Sequence, residues 1–255
     1  MAAVDQQGVH LAFELHGGGG PRTPLLLTHG YGASRRMWDP NVPALAHDRL
    51  AITWDMRGHG ETDAPEDASL YSHEHTMADM AALLDQAQAE RAVLIGMSLG
   101  GFMSLSFRHR HPERVAGLVL VDTGPGFRRA EAREGWNAWA RQRASELEER
   151  GAEALPAGRE QRQARHVHGA RGLAHAARGM LTQEDSVVFD SLPEIAVPTL
   201  VVVGSEDDQF LAAADVMEQR IPGAHKVVLR GAGHAANMDA PAEFNEAVRR
   251  FLDDV

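Results

Sequence analysis

Serine, histidine and carboxylate are the residue types that together make a nucleophile at neutral pH, and the chain carries one of each at suggestive places. Ser98 stands at the centre of Gly96-Met97-Ser98-Leu99-Gly100-Gly101. A serine hydroxyl is a weak nucleophile and needs a base. Histidine suits the task because its pKa lies near 7, and a carboxylate behind it fixes the tautomer and steadies the imidazolium. The chain order is Ser98, then Asp207 with Glu206 and Asp208 beside it, then His234 after Gly233. Acyl transfer is the chemistry that such a set performs.

The elements that must hold these groups can be read around them. Ala92-Val93-Leu94-Ile95 is a short apolar run, and Phe102 to His109 reads as helix, so Ser98 falls in a tight strand-to-helix turn. Glycines flank it because so sharp a turn strains the serine backbone and leaves no room for neighbouring Cβ atoms. Similar buried runs occur at Pro24–Thr28, Leu50–Trp54, Val115–Val121 and Pro198–Val203, with a half-exposed strand at Val9–Leu15 and another strand at His225–Leu229. Between them the pattern predicts helices over 35–46, 74–89, from Asp208 to about Arg220, and 241–252. Strands alternating with helices make a mostly parallel sheet, about eight-stranded, of the α/β class. Functional groups of such sheets gather at the strands' carboxyl ends, where Ser98, Asp207 and His234 all fall. The segment 124–193 differs: it is rich in Arg, Glu, Ala and Gln and reads as two or three helices. The expected organisation is therefore a core of 1–123 and 194–255 with a helical cap inserted at 124–193.

Composition narrows the function further. The 255 residues carry a net charge of −11, which argues against a general nucleic-acid binder. There is no cysteine, so neither a thiolate metal site nor a cysteine nucleophile is available. No basic-then-apolar leader and no run long enough for a membrane span is apparent, and a cytoplasmic protein without a membrane partner is expected. His73/His75, His109/His111 and His166/His168 invite a metal reading. They fall in helix or loop, where residues two apart diverge, so no metal and no cofactor is expected.

With these motifs assembled, the chain resembles the α/β-hydrolase superfamily, in particular its small, cap-bearing serine esterases and lactonases. The resemblance rests on His29-Gly30-Tyr31-Gly32 with Trp38 downstream, Asp55-Met56-Arg57-Gly58-His59-Gly60, Gly96 to Gly101, Pro198 to Gly204 with Asp207, and Gly233-His234. It implies Ser98 as nucleophile, His234 as general base and acid, and Asp207 as orienting carboxylate, since Asp207 stands three residues after Gly204. Asp122, past the strand after Ser98, is where some members place the acid instead. The oxyanion hole would be the backbone N–H groups of Tyr31 and Leu99. Asp55, Arg57 and His59 would be structural, with an Asp–Arg pair behind the oxyanion loop, and His29 would brace its own loop. Gly60-Glu61-Thr62 stands where the family commonly has Gly-x-Ser.

Trp136 and Trp139, three apart in the cap, are candidates for lining the pocket. Arg162, Arg165 or Arg171 could meet a substrate carboxylate. The expected partner is a small-molecule ester or lactone. A C–C bond hydrolase of aromatic degradation and a haloperoxidase-like perhydrolase use the same triad. A serine at the turn argues against the dehalogenases and epoxide hydrolases of similar fold, which carry aspartate. A ligand-binding or signalling protein on the same scaffold is the reading from outside enzymology. Nothing in the sequence bears on oligomeric state.

Overall fold

A computed structural model of the chain describes residues 2–18 and 20–255. Eight strands form one sheet: β1 (Ala2–Gln6), β2 (Val9–His16), β3 (Leu25–Thr28), β4 (Ala51–Trp54), β5 (Ala92–Met97), β6 (Val115–Val121), β7 (Thr199–Gly204) and β8 (His225–Leu229). Their order is β1-β2-β4-β3-β5-β6-β7-β8. β2 runs antiparallel to β1 and β4; every other pair is parallel.

The apolar runs explain why the sheet is buried on both faces. Every residue of β3 to β7 is buried, and alternate side chains feed opposite cores. Leu26, Ile52, Leu94, Leu118, Leu120, Val201 and Val203 pack on one side, with Leu83 of the helix His73–Gln86, Met103 of the helix Leu99–Arg110 and Met217 of the helix Asp208–Arg220. Leu25, Leu27, Val93, Ile95, Val119, Val121 and Val202 face the other way. There they meet Met37, Trp38 and the Phe244, Val248 and Leu252 stripe of the helix Pro241–Leu252.

Two local expectations are corrected. The stretch 35–46 is not one helix but a 3-10 turn at Arg35–Trp38 and a four-residue helix at Val42–Leu45. Pro40 and Pro43 lack the N–H donors that a continuous helical ladder needs. The first residues, read only as a chain end, form β1, turned onto β2 through Gln7 and Gly8 at φ 58° and 79°. Two successive positive φ values define the hairpin turn that fits strand twist.

Between β6 and β7 the segment holds no strand among the described residues. Its main element is the helix Ala130–Arg150, and Arg171–Ala176 and Ala177–Leu181 pack against it. Ala140, Ala144, Leu147, Leu173 and Met180 join the core on the Leu99–Arg110 side of the sheet, so this helical segment lies over the turn at Ser98.

Candidate active site

Ser98 lies between the last residue of β5 and the first of the helix Leu99–Arg110, at φ 51° and ψ −116°. Positive φ is costly for any side chain with a Cβ, of the order of 1–3 kcal/mol, and survives only where the surroundings enforce it. Here the surroundings are backbone. A Cβ on Gly96 would collide with the Gly100 carbonyl, and one on Gly100 would come within 2.6 Å of the His29 carbonyl oxygen. A Cβ on Gly101 would lie 2.7 Å from the Thr123 hydroxyl. The Thr123 hydroxyl donates to the Ser98 carbonyl at 2.6 Å and locks the turn to the end of β6.

The structure brings the three sequence-picked side chains together. Ser98 Oγ is 3.1 Å from His234 Nε2, and His234 Nδ1 is 2.8 Å from Asp207 Oδ2. A carboxylate can only accept, so Nδ1 carries the proton and Nε2 is left to accept from the Ser98 hydroxyl. Burial lowers the His234 pKa. The hydrogen bond and charge of Asp207, with smaller contributions from Asp122 and Glu160, more than offset it, so the net shift is upward from 6.5. Phe210 lies flat on the imidazole, ring centroids 5.1 Å apart and planes 20° from parallel. Nothing in the sequence marked Phe210; only its position two residues into the helix after Asp207 brings the ring there.

The competing carboxylates sit elsewhere. Glu206 and Asp208 are exposed. Asp122, fully buried at φ 44°, accepts the Gly204 N–H at 2.8 Å on one oxygen and the Ala236 N–H at 2.9 Å on the other. It therefore clamps the end of the Asp207 strand to the loop of His234 without bonding the imidazole. Burial pushes its pKa up to about 7 against the pull of those two N–H groups.

The loop His29–Gly32 runs beside Ser98: a Cβ on Gly30 would lie 3.3 Å from Ser98 Cβ. His29 braces it, Nδ1–H donating to the Gly30 carbonyl at 2.7 Å and Nε2 accepting the Met56 N–H at 2.9 Å. Burial pulls its pKa down to about 4, which keeps it neutral in this role. The Tyr31 hydroxyl donates to the Leu173 carbonyl at 2.8 Å, fastening the loop to the helical segment above. Leu99 opens its helix, so its N–H has no intrahelical acceptor.

The charges of the turn at 55–60 pair outside it. Asp55 accepts the Arg35 guanidinium and the Arg35 backbone N–H, and Arg57 makes a two-pronged contact with Asp79 at 2.7 Å on each side. Asp55 and Arg57 do not pair with each other. His166 bridges this turn to the loop His29–Gly32, accepting the Gly60 N–H and donating to the Gly32 carbonyl, each at 3.0 Å. His73 Nε2 donates to the Met180 carbonyl at 3.0 Å. Among the described residues no three His, Cys, Asp or Glu side chains cluster as metal ligands would.

A cavity of about 110 Å³ opens beside Ser98, walled by Leu99, Phe102, Phe127, Trp136, Leu181 and Phe210. Trp136 lines it and donates Nε1–H to the Leu181 carbonyl at 2.7 Å. Trp139 does not: it packs against Trp136, ring centroids 4.8 Å apart and planes tilted by 37°, and is 41% exposed. The two tryptophans are three residues apart on one helix, and packing separates their roles. Arg162, Arg165 and Arg171 are exposed and none lines the cavity; Arg171 pairs with Glu66 at 3.0 Å.

The fold agrees with the comparisons to known proteins. The family model for the alpha/beta hydrolase fold matches residues 23–173. A Bacillus subtilis protein provisionally named 2-succinyl-6-hydroxy-2,4-cyclohexadiene-1-carboxylate synthase is 31% identical over 249 residues, covering 91% of this chain and 90% of that one. The solved thermophilic esterase of Thermogutta terrifontis superposes with a TM-score of 0.81 at 30% identity, covering 99% of this chain and 96% of that one. The enol-lactonase of Burkholderia xenovorans does so with a TM-score of 0.80 at 25% identity, covering 99% and 100%. The chain belongs to the α/β-hydrolase fold family and is a hydrolase enzyme. None of its described helices is long and apolar enough to cross a membrane.

Proposed function

We propose that the protein is a serine hydrolase of small carboxylic esters or lactones that works through an acyl-enzyme on Ser98. The observation that carries the reading is the hydrogen-bonded line Ser98 Oγ, His234 Nε2, His234 Nδ1, Asp207 Oδ2, with its single consistent proton arrangement. Ser98 attacks the carbonyl carbon while His234 takes the hydroxyl proton, and Asp207 holds the resulting imidazolium. The carbonyl oxygen, now negative, lies against the N–H groups of Leu99 and Tyr31. Such a donor is typically worth about 3 kcal/mol of transition-state stabilisation. Collapse expels the alcohol with the proton from His234. A water, deprotonated by the same imidazole, then releases the acid and restores Ser98.

Two of the three named relatives, an esterase and an enol-lactonase, favour this class; the third carries the name of a synthase. The core and the inserted helical segment 124–193 divide the labour: the core supplies the reacting groups, and the insertion supplies Trp136 and Leu181 of the pocket wall. The test is turnover of p-nitrophenyl acetate and butyrate. The wild type is expected to hydrolyse them and Ser98→Ala to fall by several orders of magnitude. Equal rates in the two proteins would remove Ser98 from the mechanism and with it the serine-hydrolase reading.

A further inference from the structure

The wall of the cavity specifies more than its position. None of its thirteen lining residues is Asp, Glu, Lys, Arg or His. An anionic group placed there would give up hydration with no cation in the wall to replace it. An apolar cavity of about 150 Å³ accepts benzene, so about 110 Å³ suits a group of roughly four to five heavy atoms.

One polar group in that wall is uncommitted and held in place. Gln183 is buried, and its backbone is fixed by Asn137, which accepts the Gln183 N–H and donates to the Gln183 carbonyl, each at 2.8 Å. The Phe127 N–H donates to Gln183 Oε1 at 3.1 Å. That bond assigns the amide orientation, because an N–H needs an oxygen opposite it. The Nε2 amino group is thereby left on the other prong, with no protein acceptor among the described residues. The remaining polar lining groups differ: the Thr123 hydroxyl is spent on the Ser98 carbonyl, the Trp136 N–H on the Leu181 carbonyl and the Ser98 hydroxyl on His234, and Gln209 is exposed.

We infer that Gln183 is a specificity-determining residue and that the cavity takes an uncharged group carrying one hydrogen-bond acceptor, such as a ketone, ester or amide carbonyl, which receives the Nε2–H. The inference rests on Ser98 being the nucleophile. It goes beyond that reading by excluding carboxylate-bearing groups from the cavity and by requiring a neutral acceptor in it.

The test compares p-nitrophenyl 4-oxopentanoate and 5-oxohexanoate with pentanoate and hexanoate, and an alcohol-side series of oxo-alkyl and alkyl acetates. It also includes the p-nitrophenyl monoester of glutaric acid. Wild type, Gln183→Met and Gln183→Glu are assayed; the glutamate keeps an oxygen for the Phe127 N–H and so guards against a folding defect in the methionine variant. In at least one series the wild type is expected to favour the oxo substrate roughly tenfold in kcat/KM, the scale of one well-placed neutral hydrogen bond. Both variants should bring that ratio near one, and the glutarate monoester should be the poorest acyl substrate of the wild type. An oxo-to-parent ratio near one in both series for the wild type, a ratio retained in both variants, or a preference for the glutarate monoester would each overturn the inference. A Ser98→Ala protein as active as wild type on the parent esters would instead strike the nucleophile assignment beneath it.

Discussion

The two buried aspartates at the site make opposite predictions, and separating them tests the division of labour between chemistry and scaffold. In Asp207→Asn the group 2.8 Å from His234 Nδ1 loses its charge and gains a donor. When that amide presents its N–H, the imidazole must carry its proton on Nε2 and cannot accept from Ser98 Oγ, 3.1 Å away. When it presents its oxygen, the tautomer survives but the developing imidazolium has no counter-charge. Serine hydrolases treated this way lose up to about 10⁴ in kcat, and the expected fall is about 10²–10⁴, or roughly 3–5.5 kcal/mol. Stability should change little, since Asp207 makes no other side-chain hydrogen bond among the described residues.

Asp122→Asn acts on different bonds. Its two oxygens satisfy the Gly204 and Ala236 N–H groups, and an amide has only one oxygen, so one buried donor is left facing another donor. That costs about 1–3 kcal/mol. For a domain of this size it should lower Tm by about 2–4 °C for each kcal/mol. The kcat loss should stay within about tenfold. Steady-state hydrolysis of p-nitrophenyl butyrate and thermal unfolding by circular dichroism on both variants supply the comparison. An active Asp207→Asn beside an inactive but stable Asp122→Asn would reverse the roles and refute the reasoning.

Further outcomes follow from the same geometry. His234 must be neutral to accept the Ser98 proton and its pKa is raised, so kcat/KM should fall as pH drops through a value above 6.5. The limb should persist in Asp122→Asn, whose own buried carboxyl, near 7 in the wild type, is removed; its disappearance there would assign the limb to Asp122. Trp136→Ala should raise KM for butyrate esters several-fold by opening the cavity wall, whereas Trp139→Ala should stay within about twofold. Equal effects would mean that both rings act by holding the long helix rather than by lining the pocket.

Much of this arrangement is legible in the chain because it is carried by local pattern. β5, β6 and β7 are continuous apolar runs of strand length, and the glycines and charges that bound them favour a strand buried on both faces over a longer buried helix. The glycines around Ser98 announce close backbone approach before any coordinate is known. What escapes the sequence is set by tertiary placement. The hairpin of β1 turns on Gln7-Gly8, a weaker signal than Asn-Gly, whereas the break of the 35–46 stretch at Pro40 and Pro43 is a local signal present in the sequence. Asp55 and Arg57, two residues apart in one motif, each find a partner from another element, Arg35 and Asp79. Phe210 against His234, the two N–H groups on Asp122 and the amide orientation of Gln183 depend on segments far apart in the chain.

The central claim is that Ser98 Oγ is the atom that becomes covalently attached to substrate. Reaction with a fluorophosphonate, followed by intact-mass and peptide analysis, addresses it directly. The account predicts one adduct per chain on the peptide containing Gly96 to Gly101, loss of ester hydrolysis in proportion to labelling, and no adduct in Ser98→Ala. Labelling on another residue, or full ester hydrolysis by the Ser98→Ala protein, would contradict it.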